Sequence, residues 1–287
     1  MPALIDLRRR IKSVRNTQQI TKAMKTVSTA KYKKAHRLVQ ESRPWWHTYP
    51  EFAARLAGWL GPEAHPLLDV REEKRVHGLV LTSDKGLCGA FNSNLLAAAH
   101  RFLDDKALTA EVRLTLIGKK AAAYFKRQPF PVARAVAEKV DKLSIEELRG
   151  IARGLMREQA LLRTDAVYIV YNEFRSILSP RVTILKLLPI GPPPAGRPGA
   201  SWMPDWEPEA AALLKTLLPL FVEHQVFHCY FESSAAEQAA RMMAMDNATQ
   251  NAEDLIGRLV LFLNKVRQAS ITKELLEIMT AVEALAK

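Results

Sequence analysis

Only two cysteines, Cys88 and Cys229, occur in 287 residues. They are too few and too far apart for a disulfide framework or a cysteine metal site, and they read as small hydrophobes. No run of eighteen apolar residues is present, and the opening MPALIDLRRR lacks the apolar stretch of a signal peptide, so a soluble protein on the cytosolic side of a membrane is expected. Between Ala3 and Arg43 there is neither proline nor glycine; beyond Pro219 no proline recurs, and Gly257 is the only glycine. Those two absences leave long stretches at both ends without a helix breaker. Acidic residues are missing from RRRIKSVRNTQQITKAMKTVSTAKYKKAHR, residues 8–37, which carries eleven basic side chains.

The formal net charge is +12, and residues 1–40 alone set eleven Lys and Arg against the single Asp6. Residues 241–287, by contrast, hold six basic and six acidic side chains. Such a local field attracts polyanions, an acidic lipid surface or an acidic protein face, and composition does not choose among them. Like charges one helical turn apart, such as Arg8 with Lys12 and Lys33 with Arg37, cost a few tenths of a kcal/mol per pair. A uniform sign held at that cost favours an acidic partner over mere solubility. Nucleic acid is one such partner, but no aromatic residue precedes Tyr32, which removes the usual stacking platform for single strands and leaves nonspecific duplex attraction.

Three regions follow from the patterning. From Ala3 to Arg43, Leu4, Leu7, Ile11, Val14, Ile20, Met24 and Val27 recur at spacings that place them on one stripe of a helix, roughly 60 Å long. Pro44, Pro50 and then Gly58, Gly61, Pro62 and Pro66 mark a boundary, with a short helical continuation to about residue 58. Residues 76–190 contain VHGLVLTSD, RLTLIG, DAVYIVYNEF and VTILKLLPI, short runs of nearly continuous apolarity separated by helical stretches at 89–106, 119–127 and 144–163. Strands buried on both faces and alternating with helices imply an α/β domain with a mostly parallel sheet and flanking helices. GPPPAGRPG, with Pro204 and Pro208 beyond it, makes 191–208 a connection that is neither helix nor central strand.

Residues 209–287 form the third region. Met242, Met245, Thr249, Ala252, Ile256, Leu259, Leu263 and Val266 keep a heptad, and Ile271, Leu275, Ile278, Val282 and Leu285 resume it out of phase. A helix of this length spans about 100 Å, far beyond the roughly 19 Å radius of gyration of a compact chain of this size. The stripe of the N-terminal helix is its available partner. The expected fold is therefore α/β: a long antiparallel coiled coil of the N- and C-terminal helices, with its last C-terminal turns protruding alone, plus the central sheet domain.

Motifs for chemistry are incomplete. SDKGLCGAFN, 83–92, follows a strand and leads into a helix, but Gly86 and Gly89 form only G-x-x-G, short of a dinucleotide or phosphate fingerprint. The plain reading is a tight turn in which the two glycines permit close backbone approach and Asp84 makes a local turn or cap contact. GKKA, 118–121, lacks the remaining elements of a Walker loop. His224 and His228 have metal-ligand spacing beside Glu223, without H-E-x-x-H or a third ligand. No catalytic residue, cofactor or metal site is expected. Gly257, expected among apolar neighbours, weakens the long helix locally by about 1 kcal/mol.

IKSVRNTQQITKAMKTVSTAKYKKA at 11–35, LTSDKGLCGAFN at 81–92, YIVYNEF at 168–174 and NATQNAEDLIGRLVLFLNKVRQASITKELLEI at 247–278 resemble the gamma-subunit family of bacterial F-type ATP synthases. The resemblance spans essentially the whole chain, most weakly at 42–75 and 191–210. It implies a coiled coil standing in a ring of three alpha and three beta subunits, one copy per complex, with the α/β domain touching epsilon and the c-ring. Proton flow would turn this noncatalytic rotor and drive the beta sites through their conformations. By the same resemblance Lys22, Met24 and Lys25 would face an acidic lever segment of beta, and Arg267, Gln268 and Thr272 a loop of beta. Membrane association would be peripheral, through the Fo sector on the cytoplasmic face of the cell membrane. PWWHTYPEF, 44–52, and GPPPAGRPGASW depart from the family pattern, and the regulatory cysteine pair of chloroplast versions is absent. The residues alone leave two other readings open, a basic coiled-coil protein binding nucleic acid and a small-ligand α/β enzyme.

Overall fold

The computed structural model describes residues 2–60, 65–137, 140, 143–177, 180–191 and 210–285. Two helices bracket the chain, α1 (Pro2–Leu60) and α5 (Ala210–Leu285). The helix expected to pause near Pro44 runs on through Pro44 and Pro50, and α5 likewise runs through Pro219. Each proline removes one backbone donor without ending its helix. The connection expected at 191–208 lies outside the described residues apart from Gly191. The chain forms two compact units, one of residues 1–28 with 242–287 and the other of residues 29–241.

The larger unit is a three-layer α/β domain. Its elements are β1 (Arg75–Leu81), α2 (Phe91–Ala107), β2 (Glu111–Ile117), α3 (Lys119–Phe125), β3 (Val132–Val136), α4 (Ile145–Ala160), β4 (Ala166–Glu173) and β5 (Arg181–Leu188). The strand order is β3-β2-β1-β4-β5, parallel except for the antiparallel β4–β5 pair. One face of the sheet, through Leu79, Ile117 and Ile169, packs on Leu148, Ile151 and Leu155 of α4 and on Leu218, Val222 and Val226 of α5. The other face, through Val80, Leu114 and Val170, packs on Leu95 and Leu103 of α2 and Phe125 of α3. Coverage on both faces is why β1 is buried along nearly its whole length and reads as an unbroken apolar run. β3 escaped the sequence reading because V-A-R-A-V is an edge strand with four exposed residues and no apolar face to read.

The loops after β1 and β2 show what their glycines do. Gly118 has φ 106°, and a Cβ there would sit 2.3 Å from the Thr82 carbonyl oxygen. The first amides of α3 are already occupied: Lys119 N–H donates to Asp84 Oδ1 at 3.0 Å, Lys120 N–H to the Ser83 carbonyl at 3.3 Å and Ala121 N–H to Thr82 Oγ1 at 2.9 Å. GKKA is thus a docking point of α3 against the end of β1, and the donors a phosphate would use are engaged. Asp84 reaches further than a local turn, since its other oxygen accepts from Val140 N–H at 2.8 Å. A Cβ built on Gly86 or Gly89 would meet nothing within 4 Å, so neither position needs glycine for close backbone approach; Gly89 instead supplies a left-handed φ of 58°. The same turn puts Leu87 at φ 62°, where Cys88 and Asn92 close it with a 3.2 Å contact from Nδ2 to Sγ.

At the opposite end of the strands Glu73 gathers Lys106, Lys186 and Tyr168, with contacts of 2.5, 2.7 and 2.8 Å. Burial pushes its carboxyl up, but hydrogen bonds from Lys106, Lys186 and Tyr168 outweigh that and hold its pKa at about 2. A depressed carboxylate stabilises the fold above its unfolded pKa, and that stabilisation disappears as pH falls from about 4.5 towards 2. Glu73→Gln is therefore expected to lower stability at neutral pH, with the gap from the parent closing over that interval in denaturant titrations run at stepped pH. Gly118→Ala should cost about 3 kcal/mol, combining an unfavourable φ with overlap on a backbone oxygen; a chemical-denaturation midpoint equal to the parent's contradicts it.

Candidate functional site

In the smaller unit α1 and α5 pair in antiparallel fashion. Going back along α1 from Lys25 to Thr21 goes forward along α5 from Asp246 to Thr249: Lys25 Nζ lies 2.6 Å from Asp246 Oδ1, and the two threonine hydroxyls are 2.8 Å apart. Leu4, Leu7, Ile11 and Val14 face the seam as expected, with Ile11 buried. Beyond Val14 the heptad falls on Gln18, Thr21, Lys25 and Ser28, of which Thr21 and Ser28 are buried. Ile20 and Val27, assigned to the apolar stripe by hydrophobicity, are instead 60% and 58% exposed. Keeping the helical period strictly puts polar residues inside the middle of the pair and two hydrophobes outside it. On α5 Met245, Ala252 and Leu259 are buried, and Met242, Thr249, Ile256, Leu263 and Val266 are half-buried.

The antiparallel register brings the start of α1 level with the region around Val266 to Ser270. Ile271, Leu275, Ile278, Met279 and Val282 then have no α1 residue opposite, and they are 50–67% exposed. Gly257, expected among apolar neighbours, is exposed with nothing within 4 Å of a Cβ built on it. It loosens a solvent-facing turn, and Gly257→Ala should stabilise α5 by about 1 kcal/mol, read as a higher melting temperature of the purified chain.

The six residues singled out from the sequence fall in two bands. Lys22 is exposed and Met24 half-buried, while Lys25 is half-buried and ion-paired with Asp246. Arg267, Gln268 and Thr272 are exposed, with the Thr272 hydroxyl donating to the Gln268 carbonyl at 3.0 Å. Each set shares one or two turns of its helix, but the antiparallel register separates the sets by about 30 Å along the pair. The sequence reading missed Asp246. Its signal was a lone carboxylate between Arg241 and Glu253 on a helix destined to face a cationic partner.

Chemistry at these bands is electrostatic. Arg8, Arg9, Arg10, Lys12, Arg15 and Lys22 are all exposed on α1. Exposed ion pairs contribute about 0–1 kcal/mol each, so these side chains add charge to the surface and little stability to the fold. Elsewhere Glu223 is enclosed by Arg149 and Arg153 at 2.9 and 2.8 Å, and His228 is buried beside Glu232, whereas His224 is exposed. The three do not converge, and no group of three or more potential metal ligands occurs among the described residues. No described helix is long and apolar enough to cross a membrane.

An antiparallel pair of long helices with a cationic band and an uncovered apolar end, continuous in sequence with a mostly parallel sheet, defines the class as an α/β protein whose two chain ends form a coiled coil. A family model described as ATP synthase matches residues 3–285. The chain is 42% identical to the ATP synthase gamma chain of Pelotomaculum thermopropionicum and 40% identical to that of Desulforamulus reducens, in both cases over 99% of this chain and 100% of the relative. It belongs to the ATP synthase gamma-chain family. Its fold is similar to that of a chain in the Euglena gracilis mitochondrial ATP synthase in rotational state 3, with TM-score 0.70, 21% identity and coverage of 99% and 95% of the two chains. A chain from the central stalk and c-ring structure of the Tetrahymena thermophila enzyme aligns with TM-score 0.60 and 23% identity, over 80% of this chain and 99% of that one. As a gamma chain it is the noncatalytic central-stalk subunit that couples rotation to the catalytic beta subunits.

Proposed function

We propose that the two bands on the paired helices are the surfaces through which this stalk works inside a ring of three alpha and three beta subunits. Lys22, Met24 and Lys25 meet an acidic segment of beta, and Arg267, Gln268 and Thr272 meet a loop of beta. The α/β domain contacts epsilon and the c-ring, one gamma copy serves each complex, and the c-ring is driven by protons. In this reading 1–58 and 209–287 act as the shaft, 76–190 as the α/β domain and 191–208 as their connection. The protein is peripheral, held at the cytoplasmic face of the cell membrane through the Fo sector.

The observation that carries the reading is a cationic face on α1, exposed at Lys22 and free of acidic residues over residues 8–37. Lysine suits a surface that meets three acidic segments in turn, because a point charge on a flexible stem attracts without demanding a fixed bidentate geometry. The exposed apolar end of α5 suits a sleeve of apolar character. Lys25 divides its charge between such a partner and Asp246, so Lys22 is the cleaner probe.

Copurification with alpha, beta and epsilon tests the assembly; strong duplex-DNA binding by a chain that fails to copurify would favour a nucleic-acid role instead. Within the assembled complex, Lys22→Glu should slow ATP-driven rotation while leaving the melting temperature of the chain within a few degrees of the parent's. Lys25→Glu should slow rotation and also destabilise the chain, because it sets a second carboxylate against Asp246. Rotation at the parent's rate in both variants removes the assigned contact.

A further inference from the structure

At the end of β4, Phe174 is held from several directions by residues of the two long helices, all within the larger unit. Its N–H donates to Glu232 Oε2 of α5 at 2.7 Å. Its carbonyl accepts from Arg43 Nη2 of α1 at 3.2 Å, and the same guanidinium nitrogen lies 3.5 Å from Glu232 Oε1. The Phe174 ring meets the rings of Tyr32 and His36 of α1, with centroids 5.6 and 5.4 Å away. Behind this contact, His228 Nε2 lies 3.6 Å from Glu232 Oε1, and His228 Nδ1 lies 3.3 Å from Ser42 Oγ of α1. Glu232 and Phe174 are 3% and 5% exposed.

A sheet that only needed a covered face would need none of this, since the apolar layers on α4 and α5 already supply the cover. Here the backbone N–H, the carbonyl and the ring of one residue are all taken by α1 and α5 together, at a strand end where the backbone leaves the sheet ladder. A buried carboxylate carries a large desolvation cost unless it is paired, which is a poor way to gain stability but a good way to fix one geometry. Apolar packing lets surfaces slide by small steps. A directional, charge-assisted contact resists that sliding.

We infer that Arg43 and Glu232 are positioning residues for rotary coupling: by gripping Phe174 they fix the sheet to both long helices, so that torque applied to the α/β domain turns the helices without slip or lag. This rests on the proposed rotor role. α1 and α5 continue from the clamp into the residues that carry Lys22 and Arg267, so slip at the clamp loses work passed between the α/β domain and the catalytic ring in either direction. The loss grows with load, because a larger torque makes a weakened joint give way on more of its turns.

The test uses the complete ATP synthase reconstituted in sealed vesicles, measuring protons moved per ATP hydrolysed, first without and then against an imposed proton gradient. Arg43→Met removes the grip on the Phe174 carbonyl, and Glu232→Gln keeps an oxygen for the Phe174 N–H while removing the charge. Both are expected to lower the ratio by about twofold or more against the gradient and by less without it. Arg43→Lys retains a cation but not the guanidinium fork, and should recover part of the loss. A purely stabilising contact would lower the melting temperature without making the ratio depend on load. Ratios equal to the parent's under load in Arg43→Met and Glu232→Gln overturn the clamp; should either fail to assemble, a parent-like ratio under load in Arg43→Lys overturns it. A parent chain that does not assemble with alpha and beta overturns the rotor role itself, a separate outcome.

Discussion

The structure of the smaller unit depends on one constraint: a helix with an apolar stripe must cover that stripe, and here the stripe runs far beyond what a single turn or loop could shield. Antiparallel pairing of α1 and α5 meets that need through Ile11, Met245, Ala252 and Leu259. It does so incompletely by design of the heptad. Midway, the seam passes through Thr21, Lys25 and Ser28, where hydroxyl and ion-pair contacts replace apolar packing. Polar residues at seam positions give up some stability and gain a defined register. Register matters for a stalk, since a one-turn slip would displace Lys22 relative to Arg267 by about 5 Å.

The α/β unit obeys a different logic. Its sheet is covered on both faces, and its loops are closed by short side-chain contacts that use up the donors a ligand would need. Asp84, Thr82 and Ser83 bind the start of α3, while Arg241 holds the carbonyls of Lys85 and Gly86, each at 3.3 Å. These loops resemble phosphate sites in sequence because both jobs use a glycine at a strand-to-helix turn. They differ in where the amides point and what already occupies them. That distinction turns an incomplete motif into a structural joint.

Electrostatics serves two separate purposes in the chain. On the exposed face of α1 the charges are uniform and weakly held, which suits contacts that form and release. In the interior they are paired and directional: Glu223 between two arginines, and Glu232 between Arg43, His228 and a backbone N–H. Burial raises the Glu232 carboxyl, while the Phe174 N–H and Arg43 act to lower it. The first kind of charge is the one the proposed contacts with beta would use. The second joins helix to helix and helix to sheet.

Much of this was legible in the amino-acid order. The lack of helix breakers at both ends, the heptad through Met242 to Val266, the four apolar strands and the basic run at 8–37 determined two long helices, a parallel sheet and an electropositive face, because each is a local periodicity or a local sum of charge. The matched family segments pointed to the same assembly. Only tertiary structure decided that Ile20 and Val27 face outward while Thr21 and Ser28 are buried, that β3 completes the sheet edge, that Gly257 is exposed and that Asp246 holds Lys25. It also decided that Phe174 is gripped by residues more than fifty positions away in either direction. Those outcomes depend on which surfaces meet across the fold, and a pattern read along one segment contains no term for the segment that will lie opposite.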